Sequence, residues 1–181
     1  MYDNIERELK LLINEKIYNE LLHSYDFHNS ITQTNTYFDT ENQDVKKQRG
    51  AVRIRTIQDK KIFTLKIRKD EYTHYEFEKE ISAENINEIE DPEILNWFNQ
   101  YQIPKNLHPT ASFTTLRNVY TFENGELCLD KTHYKNHTDY EIEYEYTSDH
   151  DGIHFFNSIL EKYGLKWVKN CPSKIARALN D

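Results

Sequence analysis

The chain has 181 residues, 37% of them hydrophobic and 30% charged, with 13 Tyr, 9 Phe and a formal net charge of −8. That length fits one domain, 1–181, around one substantial core, and the aromatic content is too high for a disordered chain. The negative balance excludes a surface that tracks nucleic acid, which needs clustered positive charge. No apolar run approaches the roughly 18–20 residues that cross a bilayer.

The first strand is expected at residues 4–13, where Glu6, Glu8 and Lys10 alternate with apolar positions. Asn14 is placed to cap a helix over 15–25 that buries Ile17, Leu21 and Leu22. A second strand at 34–39 leads through a polar loop to a turn at Arg49-Gly50 and a third strand at 51–57. Asp59-Lys60 and Asp70-Glu71 turn the chain into strands at 62–69 and 73–82, so these neighbours are antiparallel. Asp91-Pro92 starts a helix with Ile94, Leu95, Trp97 and Phe98 inward, and Pro104 and Pro109 bracket a loop before a strand at 111–122. Glu123-Asn124-Gly125 is a hairpin signal of the type I′ kind, joining that strand to one at 126–134, and the eighth strand follows at 138–146. A helix over 151–163 ends at Gly164, and Ser173 caps a last short helix that carries Lys174 and Arg177 on one face.

One face of these strands collects Glu6, Glu8, Lys10, Arg53, Arg55, Lys66, Arg68, Glu76, Glu78, Arg117, Asp130, Glu141 and Glu143, with Glu80 and Glu145 in phase. The alternate positions are mainly apolar or aromatic; Arg7 and Lys79 break the rule. Any one such strand, taken alone, reads first as a half-buried strand with a solvated face. Sorting by sign is less ordinary, because the first and eighth strands are acidic while the third and fourth are basic. Eight antiparallel strands can close into a barrel whose bore holds one small ligand. Arg and Lys match the oxygens of a phosphate chain, and carboxylates tolerate that chain only with a hard cation between them.

The ordered set Glu6-x-Glu8-x-Lys10, Arg53-x-Arg55, Lys66-x-Arg68, Glu76/Glu78, Arg117, Asp130, Glu141-x-Glu143 and Ser173-Lys174-x-x-Arg177 resembles the CYTH superfamily, the triphosphate tunnel metalloenzymes. The resemblance implies an α+β fold, a closed eight-stranded antiparallel β-barrel with helices on its outside. It implies that Glu6, Glu8, Asp130, Glu141 and Glu143 bind Mg²⁺ or Mn²⁺. Lys10, Arg53, Arg55, Lys66, Arg68, Arg117, Lys174 and Arg177 would bind substrate, with Glu141, Glu143 and Lys10 also serving the reaction. Glu145 is placed nearer the rim, and which of Glu76, Glu78 and Glu80 enters the bore is left open. The expected activity is metal-dependent hydrolysis of a small triphosphate, inorganic triphosphate ahead of thiamine or nucleoside triphosphates. The alternatives are a class IV-type adenylate cyclase and a non-catalytic polyphosphate- or nucleotide-binding module.

No nucleic-acid or membrane partner is expected, and a homodimer is the default assembly. The N-terminus lacks the basic and apolar regions of a signal peptide, and Cys128 and Cys171 form no C-x-x-C motif, so a cytoplasmic protein with reduced thiols is expected. The eight histidines form no paired ligand motif, Asp39 reads as a strand-end residue, and the absence of G-x-x-x-x-G-K-S/T excludes a P-loop.

Overall fold

A computed structural model describes residues 4–181. Eight strands, β1 (Ile5–Ile13), β2 (Asn29–Asp39), β3 (Gly50–Ile57), β4 (Lys60–Arg68), β5 (Thr73–Ile81), β6 (His108–Thr121), β7 (Gly125–His133) and β8 (Thr138–Tyr146), form a closed ring in the order β1-β5-β4-β3-β2-β6-β7-β8. Each neighbouring pair is antiparallel, and β8 returns to β1 with Glu8 opposite Glu145 and Lys10 opposite Glu143. Closure removes every free sheet edge, which an open sheet would have to protect. The expected fold class is therefore the observed one.

The apolar positions of the strands face outward and the helices cover them. Leu9, Leu127, Leu129, Ile142 and Tyr144 pack under α1 (Glu15–Ser24) and α4 (Gly152–Glu161), whose Leu21, Phe156, Ile159 and Leu160 are buried. On the other side Val52, Ile54, Phe63, Leu65 and Phe77 pack with Ile94 and Trp97 of α3 (Pro92–Gln100). Asn14, Asp91 and Ser173 cap their helices as expected, accepting hydrogen bonds from the first-turn amides. The two residues that break the alternation point outward and each finds an acid. Arg7 donates to Asp149 at 3.0 Å, and Lys79 pairs with Asp91 and Glu93 at the start of α3.

Several local expectations need correction. β2 begins at Asn29 instead of 34, and the polar loop after it contains a short helix, α2 (Asp44–Lys47). Asp39 holds that helix by accepting from the amides of Thr40, Val45 and Lys46, which is the strand-end role read from the sequence. Pro109 lies inside β6, where the register with β2 slips between Tyr37 and Phe38. The bulge leaves Thr110 without a register partner and breaks the ladder beside Pro109, where a residue without an amide donor is tolerated. At the Asn124-Gly125 hairpin neither residue has a positive φ, so the turn is not type I′. Gly125 is required instead by close approach, since a Cβ there would stand 2.3 Å from the Tyr144 hydroxyl. Gly164 does have the left-handed conformation, φ +70°, that ends α4.

Candidate active site

The bore is a cavity of about 780 Å³, and the charged alternation lines it. Glu6, Glu8, Lys10, Arg53, Arg55, Lys66, Arg68, Arg117, Asp130 and Lys174 all border this space, as do Glu76, Glu78, Glu143 and Glu145. Glu80 instead lies 3.8 Å from Lys60 on the exposed surface, which answers the question left open for β5. Glu141 of β8 and Arg177 of α5 (Lys174–Leu179) do not border the cavity; they pair with each other at 2.8 Å.

Three groups of side chains divide the bore. In the first, Lys66 Nζ lies against Glu6, 2.8 Å from Glu8 and 3.4 Å from Glu76, while Lys10 Nζ meets Glu8 at 2.6 Å. Register produces this set, because β4 places Lys66 opposite Glu76 and β5 places His74 opposite Glu6. In the second, Arg117 forms a two-pronged contact with Asp130 at 2.9 and 2.7 Å and reaches Glu143 at 3.1 Å. Lys174 bridges Asp130 and Glu141 at 2.8 and 2.6 Å, which ties α5 to the barrel. In the third, Arg53 donates to Thr64 and Glu78, and Arg55 donates through Nε to Asn35 at 2.8 Å.

Arg68 is exposed at the border, with Nε donating to the Asp70 carbonyl. Asn170 seats the chain before α5 against β1, accepting from the Lys10 amide at 2.8 Å and donating to the Glu8 carbonyl at 3.0 Å.

These groups are not equally compensated. Burial pushes the Glu143 carboxyl up, but Arg117, Lys10 and Lys174 outweigh it and hold the group well below the usual range; Asp130 is likewise lowered. Glu6 and Glu8 are raised, mainly by burial, despite Lys66 and Lys10. Glu145 is pushed up to about 8 by burial and then by Glu6, Glu143 and Glu8. Among the described residues no cation stands within salt-bridge distance of Glu145 and no carboxylate within that distance of Arg55, whose pKa falls to about 10 through burial, Arg53 and Arg117. Excess negative charge therefore collects beside β1, and excess positive charge collects at Arg55. His74 is kept neutral, its pKa drawn down to about 3 by burial, Lys66 and Lys10.

The raised Glu145 carboxyl carries a stability consequence. A folded pKa above the unfolded value contributes stability that is fully present below about pH 4.5 and is lost as pH rises through about 8. The metal-free Glu145→Gln variant is expected to exceed the parent by on the order of 2 kcal/mol at pH 8, after allowance for solvent screening, and to match it near pH 4.5. Urea melts at the two pH values check this, and equal differences at both would show that Glu145 does not titrate as described.

Two groups bring potential metal-binding atoms within 4.8 Å of one another: Glu6, Glu8 and His74, and Asp130, Glu141 and Glu143. The second is already answered by Arg117, Lys174 and Arg177. In the first, Lys66 Nζ takes up Glu6 Oε2, whereas His74 Nδ1 is buried without a hydrogen-bond partner, which suits a donor meant for a cation.

The sequence reading did not include Gln33 and Asn35 of β2, Thr115 of β6 or Asn170, all of which border the cavity. Gln33-x-Asn35-x-Tyr37 is a polar alternation like the charged ones, but it carries no charge to mark its face. Trp97 and Phe98 belong to the outer core as expected, Trp97 stacking on Phe63 with ring centroids 6.2 Å apart and Phe98 meeting it edge-on at 5.6 Å.

A closed antiparallel barrel with an apolar outside and a bore charged in both signs defines a class of small-polyanion-binding tunnels. The CYTH domain model matches residues 4–177, and the chain belongs to that family. It is 30% identical over 149 residues to the candidate triphosphatase YjbK of Bacillus subtilis (strain 168), covering 80% of this chain and 77% of that one. A Bacillus halodurans structure provisionally assigned as an adenylate cyclase is 28% identical, covers 98% of both chains and superposes with a TM-score of 0.85. The Hippeastrum protein HpAC1, a candidate adenylyl cyclase described as having a dominant triphosphatase activity, shares the fold at 23% identity, with a TM-score of 0.77 over 98% of this chain and 95% of that one. Among the described residues no helix is long and apolar enough to cross a membrane.

Proposed function

We propose that this protein is a divalent-metal-dependent triphosphatase acting on a small triphosphate in the bore, with inorganic triphosphate the first substrate to test and thiamine or nucleoside triphosphates next. The observation that carries the reading is a pair of uncompensated groups: a half-buried guanidinium at Arg55 that calls for an anion, and a half-buried carboxyl at Glu145 whose ionisation calls for a cation. A metal-bound phosphate chain answers both. The likeness to YjbK, a candidate triphosphatase, supports it.

In this reading Glu6 and Glu8, with Glu143 and Glu145 opposite Lys10 and Glu8 on β8, hold Mg²⁺ or Mn²⁺. When bound, the ion supplies neutralisation of phosphate charge and polarisation of a phosphoryl oxygen. Arg55, Arg53 and Arg117 orient the phosphates through their N–H forks, and Lys10, Lys66 and Lys174 add point charges. Arg68 adds a contact at the border. Whichever of these carboxylates is left free of the ion would orient or deprotonate the attacking water, and Glu145, with no cation of the chain within salt-bridge distance, is the first to test in that role. Asp130 fixes Arg117 and Lys174, and Glu141 anchors α5 through Lys174 and Arg177. The role first given to Glu141 and Glu143 thereby moves one step along the strand.

An assay panel tests the reading: inorganic triphosphate, thiamine triphosphate and ATP, each with Mg²⁺ or Mn²⁺, scored for phosphate release and cyclic AMP. Phosphate release that requires metal is expected. Cyclic AMP with no phosphate release would overturn hydrolysis in favour of cyclisation, and tight binding without turnover would leave a binding module.

A further inference from the structure

Glu6 and Glu8 project into the bore from β1, and β5 presents His74 directly opposite Glu6 on the same inner face. His74 Nδ1 stands 3.9 Å from Glu8 Oε1, and it is buried without a hydrogen-bond partner. Were His74 a packing residue, that nitrogen would normally find a donor or an acceptor, because an unsatisfied buried polar atom costs free energy. Were it a charge-balancing residue, it would pair with the glutamates as Lys66 does, 2.8 Å from Glu8. It does neither. A neutral imidazole nitrogen held beside two carboxylates has one further common use, as a ligand to a divalent cation.

We infer that His74 is a nitrogen ligand which, with Glu6 and Glu8, completes a divalent-cation site, and that the nitrogen shifts this site from Mg²⁺ toward first-row transition ions, with Mn²⁺ as the paramagnetic probe. The ion preference follows from the donor set. Mg²⁺ is bound through oxygen and keeps its waters, whereas imidazole suits later first-row metals. Lys66 Nζ now answers the negative focus between Glu6, Glu8 and Glu76, so a cation enters in competition with an ammonium. The inference rests on the metal reading of Glu6 and Glu8 given above, and adds the nitrogen to it.

Among the described residues His74 is the only histidine lining the cavity, which makes the test specific. Pulsed electron paramagnetic resonance of the full chain with Mn²⁺ alone is expected to show coupling to one histidine nitrogen, and ¹⁵N-labelled histidine should change that coupling. In His74→Gln the coupling should vanish and Mn²⁺ affinity fall about tenfold, while Mg²⁺ affinity, read by competition, moves less than twofold. Mn²⁺ that binds without nitrogen coupling would overturn the role of His74 and leave the carboxylate reading standing. Failure of Mn²⁺ to bind at all would remove both. Should His74→Gln not fold, the spectrum of the unaltered chain still decides between these outcomes.

Discussion

Replacing Glu6 and Glu8 together by glutamine is expected to lower triphosphate hydrolysis by roughly a hundredfold or more, and to abolish the rise in melting temperature expected of the parent protein with Mn²⁺. The two substitutions keep the size of each side chain and remove its charge. Lys66 retains Glu76 at 3.4 Å, so the barrel keeps one partner for that buried ammonium. The measurement is steady-state phosphate release beside a thermal melt with and without metal, with circular dichroism to verify the fold. Hydrolysis that continued unchanged in a folded double variant would sink the assignment of the metal to β1, whatever the substrate.

Two arginines in the same bore are expected to respond in opposite ways. Arg117→Ala should cost about 3 kcal/mol of stability, because Asp130, which is 0% exposed, loses its two-pronged partner and Glu143 loses its nearest cation. Arg55→Ala should leave stability level or slightly higher, since it removes a half-buried cation whose hydrogen bond is to the Asn35 side chain. Its effect belongs to ligand binding instead, about 10- to 100-fold weaker for inorganic triphosphate, the scale of a charge-assisted hydrogen bond. Urea melts and calorimetric titration separate the two. If Arg55→Ala unfolds the protein, Arg55 is a structural residue and the uncompensated-charge argument fails with it.

The bore was legible in the sequence because its signal is a period of two, repeated on strand after strand with signs that differ between strands. Glu6-x-Glu8-x-Lys10 and Lys66-x-Arg68 each place their side chains on one face, and that remains so whatever lies across the ring. Pairing between strands was not legible in the same way. That His74 would sit opposite Glu6, and Glu145 opposite Glu8, depends on register across connections that the sequence does not number.

Other limits were local. Asn124-Gly125 looked like a φ-driven turn, whereas Gly125 answers the approach of Tyr144, which lies on another strand. Pro109 looked like a boundary because a bulge across from Tyr37 and Phe38 cannot be seen in β6 alone.

The apolar side of the wall faces outward under the helices, and the charged side faces the bore. Each strand therefore carries two interleaved messages, one residue out of step: one keeps the wall attached to its helices, the other decides what fits inside. Exchanging Arg, Lys or Glu along the inner positions can retune the ligand while Leu9, Leu129 or Ile142 stay seated. Inserting or deleting a single residue in the middle of a strand does the reverse, swapping both messages beyond that point, sending carboxylates under a helix and leucines into the bore. Sequence change within these strands should thus be written almost entirely in substitutions, with length variation confined to the turns.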